Sequence, residues 1–254
     1  MIQYHILETG FFYADGGAMF GAIPKRAWKR KIIADEENRC LMSMNCLLVQ
    51  IDDRILLFDT GIGSKDLKKL SYYNFQKVKD IRTFIEEINI KPEDITDVIL
   101  SHLHFDHCGG CTYRDNSGNL QIAFPNAKHY VGAKQWQNFL NPNDLERDSF
   151  RKEDILPIEE KGLLHLIEED IELLPGVEIK LYDGHTYNQL AAYININNNE
   201  WLIFPSDVIP TRAHLSDEWI SAYDIEPLKS LESKRKIKEW AKDKKHKYIF
   251  YHSS

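Results

Sequence analysis

Apolar positions fall into short runs separated by polar or turn-forming stretches. Residues 46–51 (CLLVQI), the pair Asp52-Asp53 and residues 54–58 (RILLF) read as two strands joined by a tight turn. Similar runs predict strands over 97–100, 128–131, 177–181, 190–196, 201–204 and 247–251. Residues 195–199 contain four asparagines between two such runs and predict a hairpin turn, because asparagine tolerates left-handed backbone angles. Val78, Ile81, Phe84, Ile85 and Ile88 repeat at helical spacing, and helices are also predicted over 136–140 and 227–242. Strands thus come in hairpin pairs with helices between the pairs. That order predicts an α/β protein with packed sheets and outer helices, not a simple alternating βαβ chain.

Composition narrows this picture. A chain of 254 residues has room for one large core, and a single domain spanning 1–254 is expected. The hydrophobic share of 43% and charged share of 28% suit a globular protein and exclude a disordered, collagen-like or coiled-coil chain. No apolar run approaches the roughly 20 residues that span a bilayer, so no membrane partner is expected. The N-terminus has no basic stretch followed by an apolar one, and four cysteines are too few for a disulfide scaffold; a cytoplasmic location follows. A net charge of −7 repels a phosphate backbone, so no nucleic-acid partner is expected. Nine basic residues between Lys229 and Lys247 read as the solvated face of an amphipathic helix.

The chemistry concentrates in Ser101-His102-Leu103-His104-Phe105-Asp106-His107-Cys108-Gly109-Gly110, which follows the apolar run Val98-Ile99-Leu100. In an extended segment, side chains two apart share a face, so His102 and His104 can chelate one ion together. The chain must then turn, which lets Asp106 and His107 approach from another direction, and Gly109-Gly110 permit that turn. Three histidines and an aspartate within six residues predict a divalent metal site, with zinc the favoured ion.

The pattern HxHxDH after an apolar strand resembles the signature of the metallo-β-lactamase superfamily, and further motifs of that family occur in order along the chain. Phe58-Asp59-Thr60-Gly61 resembles its DTG turn, Gly184-His185-Thr186 its GHT turn, Ser206-Asp207 its metal-bridging aspartate, and Tyr251-His252 its terminal histidine ligand. The resemblance implies a four-layer αββα sandwich with two packed mixed sheets. It implies two metal ions, one held by His102, His104, His185 and Asp207, the other by Asp106, His107, His252 and Asp207. It further implies that a hydroxide between the ions attacks the substrate, that Asp106 orients it and passes a proton, and that Asp59 fixes a histidine tautomer or the metal loop from behind. A shell made only of histidine and aspartate suits zinc and is also compatible with manganese, iron or cobalt. Tyr187-Asn188-Gln189 stand where Pro-Gly often follows the GHT turn, and Ser253 stands where an aspartate often follows the last histidine.

A bridging Asp207 is similar to the lactonase, phosphotriesterase-like and glyoxalase II branches, and unlike the best-known zinc β-lactamases. Residues 15–21 and 207–214 resemble small single-domain members of the lactonase branch. The resemblance implies a small-molecule substrate, first of all an acyl-homoserine-lactone-like ester, in a protein that can be a homodimer. Phosphotriesters, phosphodiesters or thioesters are the alternatives, and a mononuclear iron sulfur-dioxygenase or a non-hydrolytic metal-binding protein is the reading from another class. Met19, Phe20 and Trp28 lie in a Gly-rich stretch that either lines an apolar pocket for an acyl chain or packs as an ordinary hairpin. His214 reads as a substrate contact or as an unliganded histidine, and Cys108 and Cys111 as small buried residues flanking a glycine turn.

Overall fold

The computed structural model describes residues 2–65, 67–197 and 199–253. Strands β1 (Gln3–Asp15), β2 (Arg39–Ile51) and β3 (Arg54–Phe58) form an antiparallel meander, with β4 (Asp97–Ile99) added in parallel beside β3. After a small hairpin, β5 (Thr112–Arg114) with β6 (Leu120–Ile122), the strands β7 (Lys128–Gly132) and β8 (Leu164–Ile167) extend this sheet in parallel. The second sheet comprises β9 (Ile171–Leu174), β10 (Val177–Tyr182), β11 (Gln189–Asn197), β12 (Glu200–Phe204) and β13 (Lys245–Tyr248). Its order is β13-β12-β11-β10-β9, antiparallel except for the parallel β12–β13 pair, so both large sheets are mixed.

The helices are α1 (Gly16–Phe20), α2 (Lys25–Trp28), α3 (Ile81–Glu87), α4 (Phe105–Cys108), α5 (Ala133–Leu140), α6 (Lys152–Glu160) and α7 (Pro227–Ala241). Layering is visible in the alternation along β11 and β12. Leu190, Ala192, Ile194, Leu202 and Phe204 belong to the main core between the sheets. The residues between them, Ala191, Tyr193, Trp201 and Ile203, form a second cluster with Ile237, Trp240 and Ala241 of α7. With α3 against β1 and α5 against β7 and β8, the layers are helix, sheet, sheet, helix. This is the metallo-β-lactamase-like αββα arrangement that the sequence motifs implied. Among the described residues, no helix is long and apolar enough to cross a membrane.

Several elements differ from the sequence pattern for identifiable reasons. The first strand was not anticipated, because its alternation breaks at Thr9-Gly10, where the register with β2 shifts. Gly10 has φ +143°, and a Cβ there would lie 2.9 Å from Val78 Cα, so the bulge needs glycine. The helix expected around Val78 begins at Ile81, because the Asp80 side chain caps it by accepting from Arg82 N. The last strand was expected over 247–251 but ends at Tyr248. Ile249, Phe250 and Tyr251 are apolar because they cross the seam between the sheets, where Asn45 N donates to Tyr251 O at 3.0 Å. In the asparagine turn, Asn199 takes φ +84°, while Asn198 lies outside the described residues.

Helix α6 carries Pro157 in its interior, which hid it from helical pattern reading. Proline offers no N–H to Glu153 O four residues earlier. Thr112 Oγ1 takes that place at 2.9 Å. This tie brings α6 against the turn that follows α4.

Candidate metal centre

All the histidines and aspartates predicted to bind metal lie just beyond the C-terminal ends of strands, at one edge of the sandwich. His102 and His104 follow β4, Asp106 and His107 sit on the single turn of α4, and His185 follows β10. Asp207 follows β12 in a one-turn helix (Ser206–Val208), and His252 lies beyond β13. Three sets of three donors lie with their ligating atoms within 4.8 Å of one another: His102, His104 and His185; His102, His107 and Asp207; Asp106, His107 and His252.

The first set is close. His104 Nδ1 is 3.1 Å from His102 Nε2 and 3.2 Å from His185 Nε2. In the other group, Asp106 Oδ2 is 3.6 Å from His107 Nε2 and 3.7 Å from His252 Nε2. Asp207 lies between the groups, with Oδ1 3.6 Å from His107 Nε2. Its Oδ2 is 3.5 Å from His185 Nε2 and 3.3 Å from His252 Nε2.

The donors fit two ions. Four ligand atoms about 2.05 Å from a tetrahedral zinc lie about 3.3 Å from one another, which is the spacing found here. His107 Nε2 and Asp207 Oδ1 are buried, face each other and have no hydrogen-bond partner. Such orphaned polar atoms are costly unless something occupies the space between them.

The outward nitrogens of the histidines are fixed from behind. Asp59 Oδ2 lies 2.8 Å from His107 Nδ1, and the same carboxylate accepts from Ser101 N at 2.7 Å and Ser101 Oγ at 2.8 Å. Asp59 holds φ +56°, an angle uncommon for a residue with a side chain, and its N–H is anchored on Ile99 O at 3.0 Å. Glu146 Oε1 is 3.1 Å from His104 Nε2, and Asp224 Oδ1 is 3.0 Å from His185 Nδ1. His252 Nδ1 lies 2.9 Å from Ser43 O, and His102 Nδ1 3.0 Å from Ser101 Oγ. Partners of this kind select the tautomer that aims a lone pair inward.

Two of the donors are held in their ligating forms by their surroundings. Burial, together with the neighbouring imidazoles, holds His102 well below its ordinary value, so it is neutral and ready to ligate. Burial opposes ionisation of Asp207, but His252 and His107 outweigh it and hold the carboxyl well below the usual range. Burial likewise opposes ionisation of Glu146, but the bond to His104 and its neighbours bring it down to about 2.

A cleft opens over the donors. Phe12, Met19, Tyr73, Phe105, Leu145 and Tyr223 supply its apolar walls, and His104, Asp106, His185, Asp207 and His252 its floor. Met19 is therefore placed in the cleft. Phe20, Trp28 and His214 are not: they are buried side by side, with Phe20 stacked on Trp28 at 5.0 Å and on His214 at 5.1 Å. His214 Nε2 bonds Met19 O at 2.8 Å, so it is linked to the cleft only through the backbone of Met19. Cys108 and Cys111 are buried and unpaired.

Sequence reasoning did not find Glu146, Asp224 or Ser101. Glu146 and Asp224 are single loop carboxylates, 42 and 39 residues from the histidines they hold. No spacing rule marks such positions. Ser101 stood inside the recognised segment, but its hydroxyl gives no sign of its partner.

A family model described as the metallo-beta-lactamase superfamily matches residues 42–252. The chain belongs to the metallo-beta-lactamase superfamily. Among its superfamily relatives, an N-acyl homoserine lactonase of Bacillus thuringiensis is 26% identical over 222 residues, covering 82% of this chain and 80% of that protein. A probable metal-dependent hydrolase from Staphylococcus aureus superposes with a TM-score of 0.91 at 29% identity, over 99% of this chain and 89% of that one. A dizinc quorum-quenching lactonase in complex with the product N-hexanoyl-L-homoserine shares the fold, with a TM-score of 0.75 at 22% identity over 99% and 87% of the two chains. The protein is an enzyme of the metal-dependent hydrolase class.

Proposed function

We propose that the protein is a dinuclear metal hydrolase that opens a lactone ring, with an acyl-homoserine-lactone-like ester as its substrate. The observation that carries this reading is the position of Asp207 between two complete donor groups, one oxygen toward each of His107 and His252 and the second of these also toward His185. His102, His104 and His185 would hold one ion, Asp106, His107 and His252 the other, and Asp207 both. Zinc suits this donor set, and manganese, iron or cobalt would also bind it. When bound, such ions supply Lewis acidity and make water a nucleophile at neutral pH.

The residues of the chain do the rest. Asp106, reaching into the cleft from α4, orients the attacking water and accepts its proton. It returns that proton to the ring oxygen as the acyl–oxygen bond breaks, so lactone and water give the hydroxy acid. Asp59, Glu146 and Asp224 keep three imidazoles in their ligating tautomers. The apolar wall of Met19, Tyr73, Leu145 and Tyr223 takes the acyl chain.

Charge favours a neutral substrate. No lysine or arginine is among the described residues that line the cleft. Beyond the ions themselves, a phosphodiester or a carboxylated thioester would find no cationic side chain there, whereas a lactone or a phosphotriester needs none. Phosphotriesters are therefore the second reading. A lactonase of this kind removes acyl-homoserine lactone signals, which is quorum quenching. The four unpaired, buried cysteines fit a reducing cytoplasm.

The test is ring opening of a long-chain acyl-homoserine lactone by metal-loaded protein, followed by proton release, with a chelated control. Turnover abolished by chelation supports the reading. No turnover by protein carrying two ions removes the lactone and leaves phosphotriesters.

A further inference from the structure

Lys65 is a buried ammonium with no exposed side-chain surface, far in sequence from every group it touches. Its Nζ lies 2.7 Å from Asp154 Oδ1 of α6, donates to Thr112 O at 3.0 Å and donates to Gly109 O. An ammonium has three N–H donors, and three acceptors meet it here. Asp154 is itself fully buried and accepts from Arg151 at 2.9 Å. A buried pair of this kind is costly to assemble and adds little stability over an apolar replacement, so its position calls for another explanation.

That position is the end of α4. Gly109 directly follows the helix and caps it, and the helix is one turn long, carrying Asp106 and His107. One turn does not hold itself together, since helix nucleation is unfavourable without outside contacts. The loop that begins at Asp59 supplies them in series. Thr60 N and Thr60 Oγ1 both donate to His107 O, at 2.7 and 3.1 Å. Gly110 N donates to Gly61 O at 2.9 Å. Gly63 packs so closely that a Cβ there would lie 2.8 Å from Gly109 O. Lys65 is the last member of the series and the one that reaches across to α6.

Resting on the dinuclear reading above, we infer that Lys65 is a positioning residue for the ion held by Asp106, His107 and His252. It clamps the carbonyl at the end of α4 and, through Asp154, ties that turn to α6. Of the first ion's histidines, His102 and His185 lie outside α4, and His104 is its N-cap, at the end of the turn opposite the clamp.

The experiment compares wild type with the double variant Lys65→Met/Asp154→Asn, which removes both charges of the pair at once and leaves Arg151 with Glu153, 3.8 Å away, as its carboxylate partner. Metal-free protein is titrated with cobalt and with zinc, cobalt being read by its visible spectrum, alongside circular dichroism and steady-state kinetics. The expected result is a folded variant that takes the first ion with unchanged affinity and the second at least tenfold more weakly, with kcat reduced and KM unchanged. A folded variant that binds both ions as wild type does overturns the inference. Lys65→Arg, which keeps the charge but displaces the clamp, is read by the same titration if the double variant does not fold. A weaker second ion supports the inference, and an unchanged one overturns it. Wild-type protein that binds fewer than two ions overturns the dinuclear reading, and this inference with it.

Discussion

Asp224 Oδ1 meets His185 Nδ1 at 3.0 Å, although the two residues stand 39 positions apart. The backbone reinforces the side-chain bond, since Ile225 N donates to His185 O and Glu226 N to Gly184 O. The segment before α7 is thereby folded onto the metal centre, and the same segment places Tyr223 in the cleft wall. The imidazole of His185 thus has its position set by two stretches of chain, only one of which the sequence motifs mark.

Replacing Asp224 with asparagine keeps the shape of this contact and removes its charge. Metal affinity at the His102/His104/His185 group, or activity, is expected to fall about 10–100-fold. Metal titration and kcat check this, with circular dichroism expected to be unchanged. Wild-type affinity in the variant would show that the bond to His185 is only a packing contact.

Asp59→Asn should do more harm than its small change in volume suggests. An asparagine amide beside His107 can donate to Nδ1, which drives the imidazole proton to Nε2, the nitrogen that faces Asp106 and Asp207. The second ion should bind at least about tenfold more weakly. The imidazole tautomer can be read directly by nitrogen NMR of His107.

The cleft and the core beside it separate by mutation. Leu145 is 79% exposed at the cleft, so Leu145→Ala should leave the melting temperature within about 2 °C of wild type. It should raise KM for long-chain substrates more than for short ones. Trp28 is buried against Phe20 and Gly16, and Trp28→Ala should cost about 3–5 kcal/mol in urea unfolding. An equal KM effect in the two variants would place the acyl chain elsewhere.

His214 gives the folded state a specific weakness to acid. Burial pushes its pKa down to about 4 from 6.5. The folded chain therefore keeps it neutral while the unfolded chain takes up a proton as pH falls through 6.5. Its contribution to stability is complete above pH 6.5 and is lost as pH falls toward 4. Between pH 7.5 and 4.5 the stability advantage of wild type over His214→Asn should shrink by about 2–3 kcal/mol, measured by urea unfolding of chelated protein. An advantage that stays constant would mean that His214 takes a proton in the folded state.

What could be read from the sequence followed the range of the interactions. The donors of 102–107 were legible because they are neighbours in sequence, and strands β10 to β12 because each is a short apolar run. Asp207 and His252 were legible only through the order of motifs along the family. The long first strand was hidden by a bulge at Gly10, and α6 by Pro157, whose freed carbonyl is served by Thr112 from another element. Phe20, Trp28 and His214 show the opposite problem. Aromatic and imidazole rings near a site look alike in sequence whether they face a cleft or one another, and here they face one another.

Donors from two distant parts of the chain also set a timetable for loading. During synthesis His252 follows His107 by 145 residues, which takes about 7–30 s at common elongation rates. Through that interval His102, His104, Asp106 and His107 exist without His252, and through the first 100 residues of it without Asp207. An ion caught then has an incomplete set of ligands and leaves easily. Stable retention of an ion would therefore begin only when both sheets have closed, after the second sheet has delivered Asp207 and His252.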